Sequence, residues 1–401
     1  MSEDTAMDEQ KKTAAPVYKK ELGVETFVFP VIFIGVFAMF AVKMGLGNAL
    51  NTMMNTAYAL LIDTVLYLTA ICVLMGAISA LLSEFGFVAL ANRVLHPLMK
   101  PIYGLPGAAA LGVVTTFLSD NPAILALADD QQFRRCFKAY QFPALTNLGT
   151  AFGMGLIVCS FMYGLSGRLP GEFVGTAVIL GLVGAVVGSI VSTRLMLIFT
   201  KKRFGTDAPM PVKEGAAAEI PAKMRPVREG NVGNRVMAAI LEGGHGGVKM
   251  GVSIIPGVLV ICTLVMMLTK GAPEGGYTGA AYEGIELLPW LAGKINFILR
   301  PLFGFSSPEA IGVPVTALGA AGAALGVTSS LLDLGLIHAN DIAVFTAMCM
   351  CWSGYLSTHT SMMDSLNCKE LIGKAILCHT IGGLCAGIAA HWLFVLVSML
   401  L

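Results

Sequence analysis

What most constrains this chain is a series of nearly uncharged apolar runs, several of about 20 residues, the length a helix needs to cross a hydrocarbon core of about 30 Å. They cover approximately 26–42, 64–82, 139–163, 173–199, 248–268, 342–363 and 371–401. Within a bilayer every backbone N–H and C=O must be paired inside the chain, so only helices and closed barrels are available. Barrel strands alternate apolar and polar residues in segments of about ten. Here the apolar runs are continuous, and helices are expected. Charge supports this: only 13% of the 401 residues are charged, against about 25% in a soluble domain, and 56% are hydrophobic. The expected fold class is an all-α integral membrane protein.

Composition also narrows the partners. A net charge of +1, with no basic patch interleaved with aromatics, gives no reason to expect nucleic acid. The expected partners are the lipid bilayer and a small-molecule or ion substrate, and a homo-oligomer is compatible with this reading. Nine cysteines lie mostly within apolar runs, and no C-x-x-C pair occurs. Free buried thiols are the expectation. The close pair Cys349 and Cys351 has a spacing that places its members on different helix faces, so no metal site is assigned.

The order of landmarks suggests an internal duplication. Lys100-Pro101-Ile102-Tyr103-Gly104 matches Arg300-Pro301-Leu302-Phe303-Gly304, and each block closes an amphipathic stretch, 85–99 or 287–299. Ala109-Ala110-Leu111-Gly112-Val113 matches Ala323-Ala324-Leu325-Gly326-Val327, which pairs Asp120 with Asp333 and requires about a dozen inserted residues in the second copy. Glu172-Phe173-Val174-Gly175 matches Glu370-Leu371-Ile372-Gly373. The expected organisation is a cytoplasmic tail over 1–25, an extra transmembrane helix with its connection over 26–57, one repeat over 58–200, a cytoplasmic linker over 201–246 and a second repeat over 247–401.

Lysine and arginine mark cytoplasmic segments. The N-terminal tail carries four lysines, and nine basic residues face five acidic ones between Lys201 and Lys249. With both segments inside, each repeat crosses an odd number of times and the two are inverted; Lys294 and Arg300 then face outward. An odd count requires 85–130 to return to its starting side. Ser119-Asp120-Asn121-Pro122 places proline after turn-forming residues, where a helix cannot continue. A re-entrant hairpin is therefore expected in each half, its tip inside the protein.

A helix broken at membrane depth leaves unpaired N–H and C=O groups, and such groups are costly unless they hold something. Four polar clusters are candidates for a solute path: Thr115, Thr116, Ser119, Asp120 and Asn121; Thr328, Ser329 and Ser330; Thr146, Asn147 and Thr150; and Ser357, Thr358, His359, Thr360 and Ser361. Asp120, Asp333 and Asp364 are candidate ion-coupling carboxylates, with Na⁺ or H⁺ as the coupling ion and no other cofactor. The alternative use of these clusters is helix–helix packing. No nucleophilic triad, Walker loop or H-E-x-x-H motif is present, so an enzyme is not expected.

The series formed by the amphipathic helix, Pro-Ile-Tyr-Gly (101–104), Ser-Asp-Asn-Pro-Ala (119–123) and Pro-Ala-Leu-Thr-Asn (143–147) resembles the nucleoside-recognition, or Gate-domain, membrane proteins. Similar units occur in concentrative nucleoside transporters, in ferrous-iron transport proteins and in spore maturation membrane proteins. The resemblance implies a membrane fold with re-entrant elements, with nucleosides among the solutes to consider. Together with the charge distribution and the inverted, interrupted repeats read above, the expectation is a secondary transporter of a small polar solute, multi-pass in a bacterial inner membrane with a cytoplasmic N-terminus. Two rivals remain: a non-transporting scaffold of the spore-maturation type, and a metal-ion permease using His359 with Cys349 and Cys351.

Overall fold

The computed structural model describes residues 20–121, 123, 124, 127, 131–211 and 227–400. Among them the elements are helices, with one strand-like bridge between Lys138 and Pro209. Six stretches are long and apolar enough to cross a membrane: Val24–Met44, Leu46–Glu84, Ala144–Arg168, Val174–Phe204, Val232–Thr269 and Lys369–Ser398. The protein is an all-α membrane protein.

Helix α1 (Val24–Met44) ends at Gly45, whose φ of 81° turns the chain. The connection expected up to residue 57 is itself helical. Helix α2 (Leu46–Ala59) runs through a wide π turn, Leu60–Val65, into α3 (Leu66–Glu84), giving 39 unbroken residues. The polar residues of this stretch form a contact face. Asn48 and Asn55 donate to the carbonyls of Tyr277 and Gly279, and Thr52 donates to Glu283, all on the 270–286 loop.

The first series continues with amphipathic α4 (Phe87–Leu98), a π turn to Tyr103, and Gly104 at φ 74°. Helix α5 (Ala109–Leu118) ends in a turn at Ser119 to Asn121; Pro122 lies outside the described residues. Short α6 (Gln131–Arg135), α7 (Ala144–Thr150), α8 (Gly155–Gly164) and long α9 (Val174–Phe204) follow. The second series starts with α10 (Val232–Ser253), which passes a π turn, Gly257–Cys262, into α11 (Thr263–Thr269). Then come α12 (Leu287–Phe303), closed by Gly304 at φ 62°, the hairpin arms α13 (Gly312–Ala317) and α14 (Ala321–Asp333), α15 (Ala339–Cys351), α16 (Tyr355–Ser365) and α17 (Ile372–Ser398).

Glycines reveal how corresponding helices meet. A Cβ on Gly251, Gly247 or Gly243 of α10 would collide with Thr69, with Cys72 and Val73, or with Gly76 of α3. Numbers rise on one helix as they fall on the other, so the pair is antiparallel. Gly184 and Gly188 of α9 meet Ala386 and Gly382 of α17 in the same descending order. Both equivalent pairs thus run in opposite directions, with small residues allowing backbone-to-backbone approach.

Part of the segment read as linker is helical: α10 begins at Val232, and its Gly243 and Gly247 pack against α3. The element order also separates Asp120 from Asp333: both series reach a glycine after the Lys/Arg-Pro block, and the hairpin tips that follow are 119–121 and 318–320. The matching blocks 109–113 and 323–327 therefore occupy opposite arms, and Asp333 stands at the far end of α14. The linker is pinned at both described ends. Ala139 donates to the carbonyl of Ala208, Lys138 pairs with Asp207 at 3.6 Å, and Arg228 pairs with Glu84 at 2.7 Å.

Candidate functional site

Two helices are interrupted inside the core. Helix α7 stops at Thr150, residues 151–154 form turns, and Met154 takes φ 55° before α8 begins. Helix α15 stops at Cys351, and Gly354 takes φ 60° before α16 begins. A left-handed residue ends the i to i−4 ladder at each place; for a residue with a Cβ, such as Met154, it costs about 1–3 kcal/mol.

Asn121, at the tip after α5, sits between the two interruptions. Its Nδ2 donates to the carbonyl of Ser353 at 2.7 Å, and its Oδ1 lies against Gly153, where any Cβ would overlap it. The Ser353 carbonyl can only accept, which fixes the orientation of the amide. That leaves Oδ1 buried without a hydrogen-bond partner among the described residues. The other hairpin reaches the same point, because Gly354 donates its N–H to the carbonyl of Ala317 at 3.0 Å.

A polar chain runs beside these interruptions. Asn147 Nδ2 donates to Ser192 Oγ at 2.9 Å and to the carbonyl of Ala375 at 3.0 Å. Ser192 Oγ lies 2.9 Å from His379 Nδ1, and His379 Nε2 lies 2.5 Å from the carbonyl of Cys351. Since that carbonyl only accepts, Nε2 carries the hydrogen and Nδ1 accepts from Ser192. Tyr355 and Thr380 share a hydroxyl bond of 2.6 Å. Helices α7, α9, α15, α16 and α17 are joined by this network. Single serine or histidine residues in long apolar runs gave no signal for Ser192 or His379; only their convergence marks them.

The other predicted residues separate into two groups. Thr146, Thr150, Thr116 and Thr328 are buried, and Thr150 donates to Met362 Sδ at 3.9 Å. Thr116 and Thr328 bond carbonyls of their own helices, as do Thr115, Ser330, Thr358, Thr360 and, at the helix start, Ser357. Ser357, Thr360 and Ser361 are exposed. Asp120 is half-buried and accepts from the N–H of Asn121 at 2.7 Å. Asp333 and Asp364 are not brought to the interruptions. Asp333 and Ser329 are held by Arg168, and Asp364 pairs with Lys369 at 2.9 Å, with both carboxylates at least half exposed. Ser119 is exposed to a cavity of about 220 Å³ between α3, α10 and the hairpin tip, lined also by Ser79, Met75, Gly243 and Met250.

Cys349 and Cys351 are free and buried, and Cys351 Sγ points at the carbonyls of Ala151 and Ala185 at 3.8 Å. Among the described residues no group of three or more His, Cys, Asp or Glu side chains could hold a metal ion.

No protein-family model and no curated protein matches the chain. Among solved structures it is similar to CNTnw, a concentrative nucleoside transporter, in an inward-facing substrate-bound state, with TM-score 0.52 and 13% identity over 91% of this chain and 83% of that one. Variants of CNTnw in an outward-facing state (TM-score 0.48, 12% identity, 92% and 83% covered) and in an intermediate state (TM-score 0.48, 13% identity, 92% and 84% covered) also match. At such identity the likeness is one of fold. The chain is thus an all-α membrane protein that shares the fold of CNTnw.

Proposed function

We propose that this protein is a secondary transporter of a small polar solute, nucleosides first among the candidates, working by alternating access of two inverted halves in a bacterial inner membrane with its N-terminus in the cytoplasm. The observation that carries this reading is the meeting of both interrupted helices and both hairpin tips at Asn121, Gly153, Ser353 and Gly354. Orphaned polar atoms buried at such a junction suit a ligand that comes and goes better than a permanent packing contact. The likeness of fold to a transporter supports the same reading. The metal-permease alternative has no donor set among the described residues to support it.

The test is a thermal-shift screen of the purified full chain in detergent against nucleosides and other small polar solutes. A solute that binds only the folded state raises its stability by about 2.7 kcal/mol at a hundredfold excess over Kd. Hits are then measured for uptake into proteoliposomes under Na⁺ or H⁺ gradients, where Asn121→Ala is expected to lower uptake at least tenfold. A chain stabilised by no solute, and moving none, would be the scaffold instead.

A further inference from the structure

His359 and His379 are both buried, and their ring centroids lie 4.6 Å apart. His359 Nδ1 lies 3.1 Å from the carbonyl of Tyr355, which only accepts, so Nδ1 bears the hydrogen and Nε2 carries a lone pair. Among the described residues that Nε2 has no hydrogen-bond partner. His379 is in the opposite tautomer, with both nitrogens engaged by Ser192 and Cys351. The pair therefore offers one vacant basic site, on His359.

We infer that His359 and His379 form a proton-binding pair and that the proton is the ion coupled to transport, an inference that rests on the transport reading above. The proton adds to the His359 Nε2 lone pair and no other bond changes. Two charged rings at 4.6 Å in an interior of low dielectric repel strongly, so the pair takes one proton. Among the described residues no hydrogen bond or ion pair supplies a counter-charge to either ring. On its own helix the neighbours are Tyr355, at 5.7 Å between centroids, and Asp364, which is turned outward to Lys369. Helix α17 contributes His379 and Lys374, the latter lying over Phe199; α15 contributes Cys351, while α7 and α9 contribute the non-ionisable Asn147 and Ser192. No carboxylate, lysine or arginine among the described residues is hydrogen-bonded or ion-paired to either ring. A proton on His359 thus disfavours the packed arrangement and favours one in which the ring meets water. That is the property a coupling site needs, since loading the ion must change which conformation is stable.

Trp352 is a built-in reporter, buried and stacked on Tyr355 with centroids 6.2 Å apart. With Trp290→Phe and Trp392→Phe it is the sole tryptophan of the original three. Its emission is expected to change in one step as the pH is lowered through and below the range in which a water-exposed imidazole titrates. The step should vanish in His359→Gln and persist in His391→Gln, whose ring is engaged elsewhere by Asn340. A flat emission, or a step that survives His359→Gln, overturns the inference. If His359→Gln does not fold, ring-nitrogen NMR of the unsubstituted protein decides: opposite tautomers for the two buried rings, only one of them titrating, is the expected result, and independent titration of both contradicts it. In proteoliposomes, radiolabelled uridine uptake should be driven by an inward proton gradient and fall at least tenfold in His359→Gln. Uptake driven by Na⁺ and indifferent to that substitution overturns the proton pair and leaves transport standing. A Trp352 step without uptake of any nucleoside supports the pair and counts against the transport reading.

Discussion

The Asn121 side chain makes one hydrogen bond among the described residues, yet that bond spans the two halves of the chain. Replacing it with alanine strands the buried carbonyl of Ser353, a loss of about 1–3 kcal/mol. Asn121→Asp should cost more, because a carboxylate oxygen would then face that carbonyl. Thermal unfolding in detergent ranks the three proteins, and equal midpoints would show that the bond contributes nothing. Lys270 supplies a different residue-scale test. It is 8% exposed, and burial pushes its ammonium from 10.5 down to about 8, against the opposing charges of Glu309 and Asp333. Between those values the unfolded chain holds a proton that the folded chain has released, so stability should rise from about pH 8 to 10.5. Lys270→Met is expected to abolish the rise in unfolding midpoint over that range. At this scale the sequence was readable where polar residues cluster, as at Ser119 to Asn121. It was silent where a main-chain carbonyl does the work, as at Ser353, and where one serine in a long apolar run, Ser192, completes a network.

Helix α10 shows how an element can be misread and why. Four of its glycines, at 243, 244, 246 and 247, have the composition of a flexible linker, and the partner helix explains Gly243 and Gly247. Gly247 abuts the backbone of Cys72 and Val73, whereas a Cβ on neighbouring Gly246 would meet nothing within 4 Å. Gly247→Ala should therefore force α3 and α10 apart and lower the unfolding midpoint. Gly246→Ala should be neutral or stabilising by up to about 1 kcal/mol through helix propensity. The same midpoint for both substitutions would argue against the crossing. The polar asparagines of α2 misled in the same way, because their partner loop lies more than 220 residues away in the chain. Apolar length and proline placement made the spans and the first hairpin visible. The interruption at Met154 was not, since a methionine gives no sign of a left-handed backbone.

Across the whole molecule, the two halves are fastened by charge as well as by glycine. Glu84, 5% exposed at the end of α3, takes Arg228 from the end of the linker and Arg235 from α10, each at 2.7 Å, and Arg228 also holds Glu242 at 2.6 Å. These contacts to Glu84 and Glu242 keep the Arg228 guanidinium firmly charged. By contrast, Arg203 and Glu370 pair at 3.3 Å in an exposed position, where ion pairs contribute little. Glu84→Gln should lower the unfolding midpoint clearly more than Glu370→Gln, and the loss should be little altered by 0.5 M salt, in contrast to an exposed pair. Equal effects would place the Glu84 cluster among ordinary surface pairs. The pins at residues 207–209 and 228 carry a practical corollary. Each end of the linker is anchored to a partner of its own, so added sequence between the anchors should leave the register of the helices unchanged. A fluorescent domain grafted between positions 212 and 226 would then ride on the molecule as a passenger, reporting its abundance and location in living cells while both halves keep their grip on one another.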